Sequence, residues 1–324
     1  MKLVINVSKR LLNTKPSSFN KSRIRQKYVP HSVEPTKDEI SYLQEFLSKH
    51  ERTVILTGAG FSTESGIPDY RSDKVGLYSR KNYKPMQYQD FIKYASLRQR
   101  YWARSYVGWP GYSKIQPSKN HYIVANLERS GVMHWLITQN VDHLHNRAGS
   151  LKVTELHGSL YSVRCLSCKM RLPRVDYQRQ MEEMNQHWSV QSFERATDGD
   201  VFLTDDQVKG FQVPPCTSCG GSMMPKIVFF GDNVSKSKVE FLYEKVSQSD
   251  SILVLGSSLQ TKYLVDYMYT KYLVDYMYTK YLVDYMYTNL YFPVTGLLRL
   301  QVRIGCCRSG KAYSHCEHRR NEGR

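Results

Sequence analysis

Short apolar runs recur along the chain, and each one ends where glycine or polar residues begin. They occupy residues 53–57, 134–138, 226–230 and 251–255. Continuous apolar runs of this length are typical of strands that are buried on both faces of a sheet. Helical stretches separate the runs, which predicts an α/β fold built on a doubly wound parallel sheet.

A helix is predicted just before the first of these strands, and the ordered body begins near Pro35. Thr36 and Glu39 have the spacing of a capping box, in which each side chain accepts a hydrogen bond from the other residue's backbone N–H. An apolar face follows at helical spacing and consists of Ile40, Leu43, Phe46 and Leu47.

A smaller, inserted module is predicted from the cysteines. Four of the seven form two C-x-x-C pairs, Cys165 with Cys168 and Cys216 with Cys219. Such pairs in an intracellular protein indicate metal rather than disulfides. Four thiolates form a closed tetrahedral site, so the zinc ion is structural rather than catalytic. We expect the zinc module to span about residues 161–225, with a helical excursion between the pairs.

The first strand runs into a glycine turn at residues 58–62. Such a turn can bring backbone N–H groups against a pyrophosphate. The full dinucleotide fingerprint is absent because Thr63 stands at the third glycine position, and an ordinary tight turn explains the pattern equally well. Gly66 and Pro68 then prevent a regular helix. Residues 64–71 are therefore expected to form a polar loop that covers the nicotinamide end of a cofactor.

The second strand is followed by Gln139, Asn140 and Asp142, and His157 comes shortly afterwards. Amides and a carboxylate at the end of a parallel strand are suited to hold ribose hydroxyls and a carboxamide. His157 is the candidate general base, because the ordinary pKa of histidine is about 6.5. A simple turn residue is the alternative interpretation of the His157-Gly158 pair.

The net charge of +17 lies mostly at the two ends of the chain. Residues 1–33 carry eight Lys/Arg and no acid, and residues 261–324 carry ten Lys/Arg against five acids, which leaves +4 on residues 34–260. The body is therefore not a basic nucleic-acid platform. A basic, acid-free leader is typical of a mitochondrial transit peptide and predicts the matrix as location, with a disordered basic arm as the alternative. The sequence contains no apolar run of about 18 residues, the length that a membrane span requires.

Taken together, these motifs resemble the sirtuins in order and in spacing. The segments that carry the resemblance are Gly58-Ala59-Gly60-Phe61-Ser62, Gly66-Ile67-Pro68-Asp69-Tyr70-Arg71, Thr138-Gln139-Asn140-Val141-Asp142, His157-Gly158, the two cysteine pairs, Val228-Phe229-Phe230-Gly231 and Gly256-Ser257-Ser258. The finer match is to the mitochondrial sirtuin 4 class, through Arg100-Tyr101-Trp102-Ala103-Arg104 and Val107-Gly108-Trp109-Pro110. The resemblance covers about residues 35–260, and residues 34–260 form the predicted catalytic domain.

The resemblance implies an NAD-dependent protein-lysine deacylase or ADP-ribosyltransferase with a cleft between a Rossmann-type large domain and a small zinc-bearing domain. NAD is implied to bind at Gly58, Ala59, Gly60, Phe61, Ser62, Thr63, Pro68, Asp69, Tyr70, Arg71, Gln139, Asn140, Val141, Asp142, Gly256, Ser257 and Ser258. The acylated lysine of a mitochondrial protein is implied to pair as an added strand with Val228, Phe229, Phe230 and Gly231. In the family mechanism the acyl oxygen displaces nicotinamide, and the base, His157 here, deprotonates a ribose hydroxyl that attacks the resulting imidate. Water then completes the transfer of the acyl group to ADP-ribose.

Tyr101 and Arg104 give a clue to the acyl group. Their spacing resembles the pair with which some mitochondrial sirtuins hold an acyl chain that ends in a carboxylate. A phenol and a guanidinium one helical turn apart suit a carboxylate. A solvated helix face is an equally simple interpretation.

After Gln260 the resemblance stops, and a nine-residue unit repeats three times over residues 261–287. Nine residues end half a turn out of phase in a helix and in a strand, so successive copies present opposite faces. The family continues instead with a helix, a strand with a nucleotide-binding turn, and a final strand. We therefore expect the C-terminal strands to be missing, the edge of the sheet to be uncovered, and residues 261–324 to be disordered. A gene-model error is our hypothesis for this tail, and a lineage-specific tail is the alternative.

Two other functional classes compete with the enzyme. A truncated, non-catalytic relative would bind NAD or partners weakly, and nicotinamide release distinguishes it from an enzyme. A zinc-ribbon nucleic-acid module would need a basic body, and the near-neutral charge of residues 34–260 argues against it.

Overall fold

The computed structural model describes residues 28–30, 35–72, 76–79, 84–190, 192 and 196–259, together with the backbone of residues 290–292 and 300–306. Its strands are β1 Thr53–Thr57, β2 Met133–Thr138, β3 Val153–Glu155, β4 Gly158–Cys165, β5 Arg171–Pro173, β6 Met223–Ile227, β7 Ser251–Leu255, β8 Leu290–Phe292 and β9 Leu300–Cys306. Its α-helices are α1 Lys37–Lys49, α2 Tyr88–Lys93, α3 Ala95–Tyr112, α4 Lys119–Arg129, α5 Leu144–Arg147, α6 Arg174–Met184, α7 Asp205–Val208 and α8 Lys236–Ser247. Ala59–Ser65 and Leu77–Ser79 form 3₁₀ helices. No helix in the described ranges is long and apolar enough to cross a membrane.

The larger sheet has the strand order β3-β2-β1-β7-β9-β8, and its first four strands are parallel. Thr57 lies level with Thr138 on one side and with Leu255 on the other, and Thr138 lies level with Glu155. The residues that follow these four strands therefore emerge together at the carboxyl end of the sheet. In open α/β sheets this is the end at which ligands bind.

Helices cover both faces of the parallel strands. Ile55 of β1 packs with Phe46 of α1 and Val124 of α4 on one face. Its neighbours Val54 and Leu56 pack with apolar residues of α8 on the other face. Successive strand residues point to opposite faces, so both sets of β1 side chains are buried. This arrangement confirms the predicted doubly wound α/β sheet.

The helix predicted from the capping box is confirmed as α1. The Glu39 N–H donates to the Thr36 hydroxyl oxygen at 3.2 Å, and the Thr36 N–H donates to a Glu39 carboxylate oxygen at 2.8 Å. The predicted apolar face packs against the sheet, and Phe46 is its fully buried member.

A second sheet, with the order β5-β4-β6, is antiparallel and belongs to the cysteine module. The sequence assigns the run 226–230 to the parallel sheet, and this assignment is wrong. β6 ends at Ile227 and pairs with β4, and it follows the second cysteine pair closely. Lys226 within it is exposed, which is incompatible with a strand buried on both faces.

The edge beside β7, which the sequence predicts to be uncovered, is paired with backbone of the tail. β9 pairs antiparallel with β7 over five residue pairs, and β8 pairs antiparallel with β9. A free strand edge carries unpaired N–H and C=O groups, which an extended segment of the tail can satisfy. The expected disorder of residues 261–324 stays a prediction, and within that range the structure describes only the backbone of residues 290–292 and 300–306. The repeat at 261–287 and the leader up to residue 27 lie outside the described residues.

Candidate active site

The turn after β1 is held tightly against the turn after β7. The Gly58 N–H donates to the Leu255 carbonyl at 3.1 Å, and the Gly60 N–H donates to the Gly256 carbonyl at 2.9 Å. A Cβ on Gly58 would lie 2.8 Å from the Gly256 oxygen. Gly256 has a φ of 64°, and a Cβ there would lie 2.3 Å from the nitrogen of Phe61. Both turns therefore need glycine for this close approach.

The chain leaves the first turn as a 3₁₀ helix, Ala59–Ser65, in which Ser62 and Thr63 are buried. The Phe61 ring stacks on the ring of His145, with 5.0 Å between the centroids, and meets that of His121 edge-on at 4.9 Å. Burial lowers the pKa of both histidines, that of His145 to about 3, so both rings are neutral. The sequence does not reveal this pair, because no local pattern distinguishes these histidines from surface ones.

A hydrogen-bond chain connects the turn with the end of β2. The Asn140 amide donates to the Gly58 carbonyl and to the Ser62 hydroxyl, both at 3.0 Å. Ser62 in turn donates to the Asp142 carboxylate at 2.6 Å. Burial raises the pKa of the Asp142 carboxyl, although hydrogen bonds from Ser62 and from a backbone N–H oppose the shift. Val141 continues the segment, and its carbonyl accepts from the Leu160 N–H at 3.0 Å.

The predicted cofactor residues of three separate loops are brought together. Ser257 donates to the side-chain oxygen of Gln139 at 3.1 Å, and Arg71 donates to the Ser258 hydroxyl at 3.1 Å. A hydrogen bond within the loop that carries Arg71 holds its conformation: the Asp69 carboxylate accepts from the backbone N–H of Ser72 at 3.1 Å.

The same loop contacts the cysteine module on its other side. The Pro68 carbonyl accepts from the Thr197 hydroxyl at 2.7 Å. The ring of Tyr70 lies edge-on to that of Phe230, with 5.9 Å between the centroids. Burial, together with the nearby Asp198, raises the pKa of the Tyr70 phenol.

His157 is half-buried where the chain passes from β3 to β4. Its Nδ1 lies 2.9 Å from the carbonyl oxygen of Gln139. A carbonyl only accepts, so Nδ1 carries the proton and Nε2 of the neutral ring is left as the basic nitrogen. Burial lowers the pKa of His157; the hydrogen bond to the Gln139 carbonyl opposes this shift, and the charge of Lys238 adds a smaller effect in the lowering direction.

The segment predicted to bind the acylated lysine lies directly beside His157. The Val228 N–H donates to the His157 carbonyl at 2.8 Å. Phe229 is buried, Phe230 is 40% exposed, and Gly231 follows at a φ of 79°. A backbone hydrogen bond from the start of α2 to the Phe230 carbonyl, 2.9 Å long, fixes one side of this segment.

Tyr101 and Arg104 lie one turn apart on α3, and neither is on a fully solvated face. Tyr101 is 3% exposed, and its ring meets that of Phe229 edge-on. Arg104 points to Asp200, with 3.7 Å between a guanidinium nitrogen and a carboxylate oxygen. Burial raises the pKa of the Tyr101 phenol. Burial and the nearby Asp198 raise the pKa of Asp200 well above its ordinary range.

Asp198 and Asp200 are candidates that the sequence does not reveal. They belong to the polar insert between the cysteine pairs, where no spacing marks them. Only the fold brings this insert against α3, where the Gly199 carbonyl approaches Gly108 so closely that a Cβ on Gly108 would lie 2.1 Å from it.

The four predicted zinc ligands are brought to one point. The Sγ atoms of Cys165 and Cys219 are 3.6 Å apart, as are those of Cys168 and Cys216, and all four lie within 4.8 Å of one another. A tetrahedral ion with Zn–S bonds of about 2.3 Å separates its ligands by roughly 3.8 Å, so the cluster fits zinc. Four protein ligands fill the coordination shell, which makes the site structural.

Comparisons with known proteins agree with this geometry. Residues 58–262 match the family model described as "Sir2 family". The mitochondrial NAD-dependent protein lipoamidase sirtuin-4 of Bos taurus is 50% identical over 233 residues, which are 72% of this chain and 74% of the relative. The NAD-dependent protein deacylase Sirt4 of Drosophila melanogaster is 46% identical over 249 residues, which are 77% and 80% of the two chains.

Solved structures of Sir2 proteins are also similar to this chain. A complex of Sir2 with a p53 peptide and NAD+ matches with a TM-score of 0.53 at 30% identity, over 69% of this chain and 78% of that one. A mutant Sir2 homologue in complex with ADP-ribose matches with a TM-score of 0.51 at 33% identity, over 68% and 76%.

Proposed function

The chain belongs to the Sir2 family of NAD-dependent protein deacylases, and from this premise we propose that it transfers an acyl group from a protein lysine to ADP-ribose, with His157 as general base. The observation that carries the proposal is the hydrogen bond from His157 Nδ1 to the Gln139 carbonyl. It selects the tautomer whose Nε2 can accept a proton. The lowered pKa of His157 keeps that nitrogen unprotonated near neutral pH.

The proposed NAD site consists of the loops that meet at the carboxyl end of the parallel strands. Bound NAD supplies an electrophilic ribose carbon, with nicotinamide as the leaving group. The glycines at 58, 60 and 256 let the turns after β1 and β7 pack closely, which brings the proposed NAD-binding loops together at this end of the sheet. Asn140 and Asp142 offer amide and carboxylate groups for hydroxyls of the sugar, and Arg71 offers a positive charge for the phosphates.

The proposed lysine site is the extended segment from Val228 to Gly231. Its direct hydrogen bond to the His157 backbone sets the distance between the substrate strand and the base. The Sir2 structure solved with a p53 peptide supports a peptide as the ligand class. The leader of this chain and the mitochondrial names of its relatives support acylated matrix proteins as substrates and the mitochondrial matrix as the location.

Tyr101 and Arg104 are the proposed determinants of the acyl group. A carboxylate at the end of the acyl chain would bind to this pair in competition with Asp200, which already lies 3.7 Å from Arg104. The Bos taurus relative is named a lipoamidase, so a neutral lipoyl chain is the contrasting substrate to test. The acyl preference therefore depends on how firmly Asp200 holds the guanidinium.

The proposed function is tested by incubating the purified chain with NAD and acylated lysine peptides. Release of nicotinamide together with the free-lysine peptide is the expected result. Nicotinamide release without loss of the acyl group would indicate ADP-ribosyl transfer to another acceptor. No nicotinamide release from a folded, zinc-loaded chain would support the non-catalytic alternative instead.

A further inference from the structure

A lysine of α8 reaches the backbone that carries the base. Lys238 lies in the first turn of this helix, and its Nζ donates to the Glu155 carbonyl at 2.8 Å and to the Leu156 carbonyl at 3.2 Å. Leu156 is followed directly by His157. Neither the motifs of the sequence nor the proposed NAD and lysine sites include this lysine.

The ammonium group of Lys238 lies at the edge of the larger sheet, where backbone carbonyls need a hydrogen-bond donor from outside the sheet. Glu155 ends β3, which is the edge strand of the larger sheet, and β2 is its neighbour on one side. A carbonyl at a sheet edge has no further strand to pair with. An ammonium group with three donors can satisfy two such carbonyls at once.

The backbone around the base is thus held by hydrogen bonds from several directions. The Leu156 N–H donates to the Thr138 carbonyl at 2.8 Å, and the His157 carbonyl accepts from Val228 at 2.8 Å. The Glu155 side chain pairs with His143, with 2.9 Å between the carboxylate oxygen and the ring nitrogen. Lys238 adds the contacts from α8.

From this juxtaposition we infer that Lys238 is a positioning residue for His157: it fixes the backbone that carries the imidazole and holds a positive charge beside it. The inference rests on the proposed role of His157 and extends it to a residue that does not touch the substrate.

Several charges lie around this site and influence the pKa values of His157 and Lys238. Lys238 lowers the pKa of His157, in addition to the larger effect of burial. Burial lowers the pKa of Lys238 itself, and Lys226 of β6 adds to that shift while Glu155 of β3 opposes it. His143 is a further titratable group near this cluster, and it pairs with Glu155.

Removing the charge should therefore raise the pKa of the base. In Lys238→Met the acid limb of the kcat profile should move to higher pH by about half a unit, as the loss of one nearby charge implies. The kcat at pH 7 should fall about three- to tenfold, with a smaller change in the KM for the peptide. Lys238→Arg, which keeps the charge and the donors, should restore most of the kcat and most of the wild-type pH profile.

The controls separate positioning from mere stability. Lys236→Met removes an equal charge from the same turn of α8, but the Lys236 side chain is 91% exposed and pairs only with Glu240 at 3.7 Å among the contacts described for it. Lys236→Met should leave the pH profile unchanged. Lys238→Gln keeps an amide donor without the charge, and it serves as the second neutral variant if Lys238→Met does not fold.

The decisive measurement does not depend on turnover. The His157 ring is titrated by NMR in the wild-type chain and in the Lys238 and Lys236 variants, with its signal assigned from its loss in His157→Gln. A higher His157 pKa in the neutral Lys238 variants alone is the expected result. An unchanged His157 titration and pH profile in a folded Lys238→Met chain would overturn the inference. Failure of the wild-type chain to release nicotinamide would instead count against the proposed function, and the titration would still decide the role of Lys238.

Discussion

At the scale of single residues, one backbone carbonyl oxygen fixes the tautomer of His157. The Gln139 carbonyl accepts from Nδ1, and burial lowers the pKa of the ring. As the proposed base, His157 is competent only when it is neutral, so activity should be lost as the pH falls through its pKa. Because that pKa lies below the ordinary value of about 6.5, we expect the acid limb of the rate, measured as kcat against pH, to lie below about pH 6.5.

Removing the imidazole should abolish turnover without unfolding the chain. His157→Gln is expected to reduce coupled nicotinamide release at least about a hundredfold, as the loss of a general base does. Circular dichroism and thermal melting check the fold. His187→Gln, at an exposed histidine of the cysteine module, is the matched control. A well-folded His157→Gln chain that keeps most of its activity would remove His157 from the mechanism.

The proposed acyl clamp, Tyr101 with Arg104, gives a second prediction at this scale. Asp200→Asn weakens the hold on Arg104, so the ratio of kcat/KM for carboxylate-ended over neutral acyl peptides should rise about tenfold, as one charge-assisted contact allows. Arg104→Ala should lower that ratio below the wild-type value. The ratio is measured with peptides that differ only in the acyl end.

Arg100→Ala is the control for the clamp, because Arg100 lies one turn earlier on α3 and pairs with the exposed Asp205. It should leave the ratio unchanged. Equal responses of Arg100→Ala and Arg104→Ala would show that Arg104 does not contact the acyl chain.

The residues that could be predicted from the sequence are those whose role follows from their neighbours in the chain. The cysteine pairs are recognised by spacing, and Asn140 and Asp142 by their position after a strand. Asp200 and Lys238 act on residues that lie about a hundred or about eighty positions away, at Arg104 and His157. Contacts of this kind depend on tertiary packing, and no local pattern encodes them.

At the scale of elements, zinc holds the small antiparallel sheet together. Cys165 is the last residue of β4, which pairs with β6, and Cys216 approaches it from the other end of the insert. Chelation or Cys216→Ser should lower the melting temperature by about 5 °C or more, because metal binding is coupled to folding. Activity should decline in parallel with the loss of folded protein and not earlier.

Bound zinc is counted by elemental analysis, and Cys316→Ser, outside the four-cysteine cluster, is the control that should change neither quantity. Zinc retained by a chain that lacks all four cysteines of the cluster would contradict the assignment.

The contact between the turns after β1 and β7 gives a prediction on glycine. Gly256→Ala should cost more than the roughly 1 kcal/mol expected for an alanine at positive φ, because its Cβ also meets the Phe61 nitrogen at 2.3 Å. NAD binding should weaken as the two turns move apart. Gly131→Ala is the matched control, since Gly131 has a φ of 77° and no described atom within 4 Å of the added Cβ. Denaturant melts and NAD titration should separate the two variants, and equal losses in both would show that the turn contact is unimportant.

Elements could be predicted where a buried pattern agrees with the chemistry at its ends. α1 begins at a capping box, and the strands β1, β2 and β7 each end where glycine or polar residues begin. The run at 226–230 could not be assigned to its sheet, because a short apolar run has the same appearance in a parallel strand and in a strand of a small antiparallel sheet. The partner strand decides the sheet, and that partner is β4, about sixty residues earlier.

At the scale of the whole molecule, the direction of β9 bears on the proposed NAD site. Leu255 at the end of β7 lies level with Val302, and Ser251 lies level with Cys306. The N-terminal end of β9 therefore lies at the end of the sheet that carries Gly58 and Gly256. A parallel strand would bring its carboxyl end there, where the loops of parallel sheets hold nucleotides. The resemblance to the family implies such a strand, and the sequence after Gln260 replaces it.

That difference predicts weak NAD binding by the full chain. β9 covers the edge of β7, but it does not supply a loop from the carboxyl end of a parallel strand for the adenosine end of NAD. We expect the full chain to show little NAD-dependent rise in melting temperature. A chimera of residues 35–260 with the C-terminal part of the Bos taurus relative should show a clear rise, since a ligand stabilises the fold according to its concentration over its Kd. A chain ending at residue 259 tests the edge separately: it should melt at lower temperature and scatter more light, because the edge of β7 away from β1 is then unpaired. If the full chain and the chimera show the same NAD-dependent rise, the antiparallel tail is a sufficient substitute for the family's last strands, and the gene-model hypothesis is wrong.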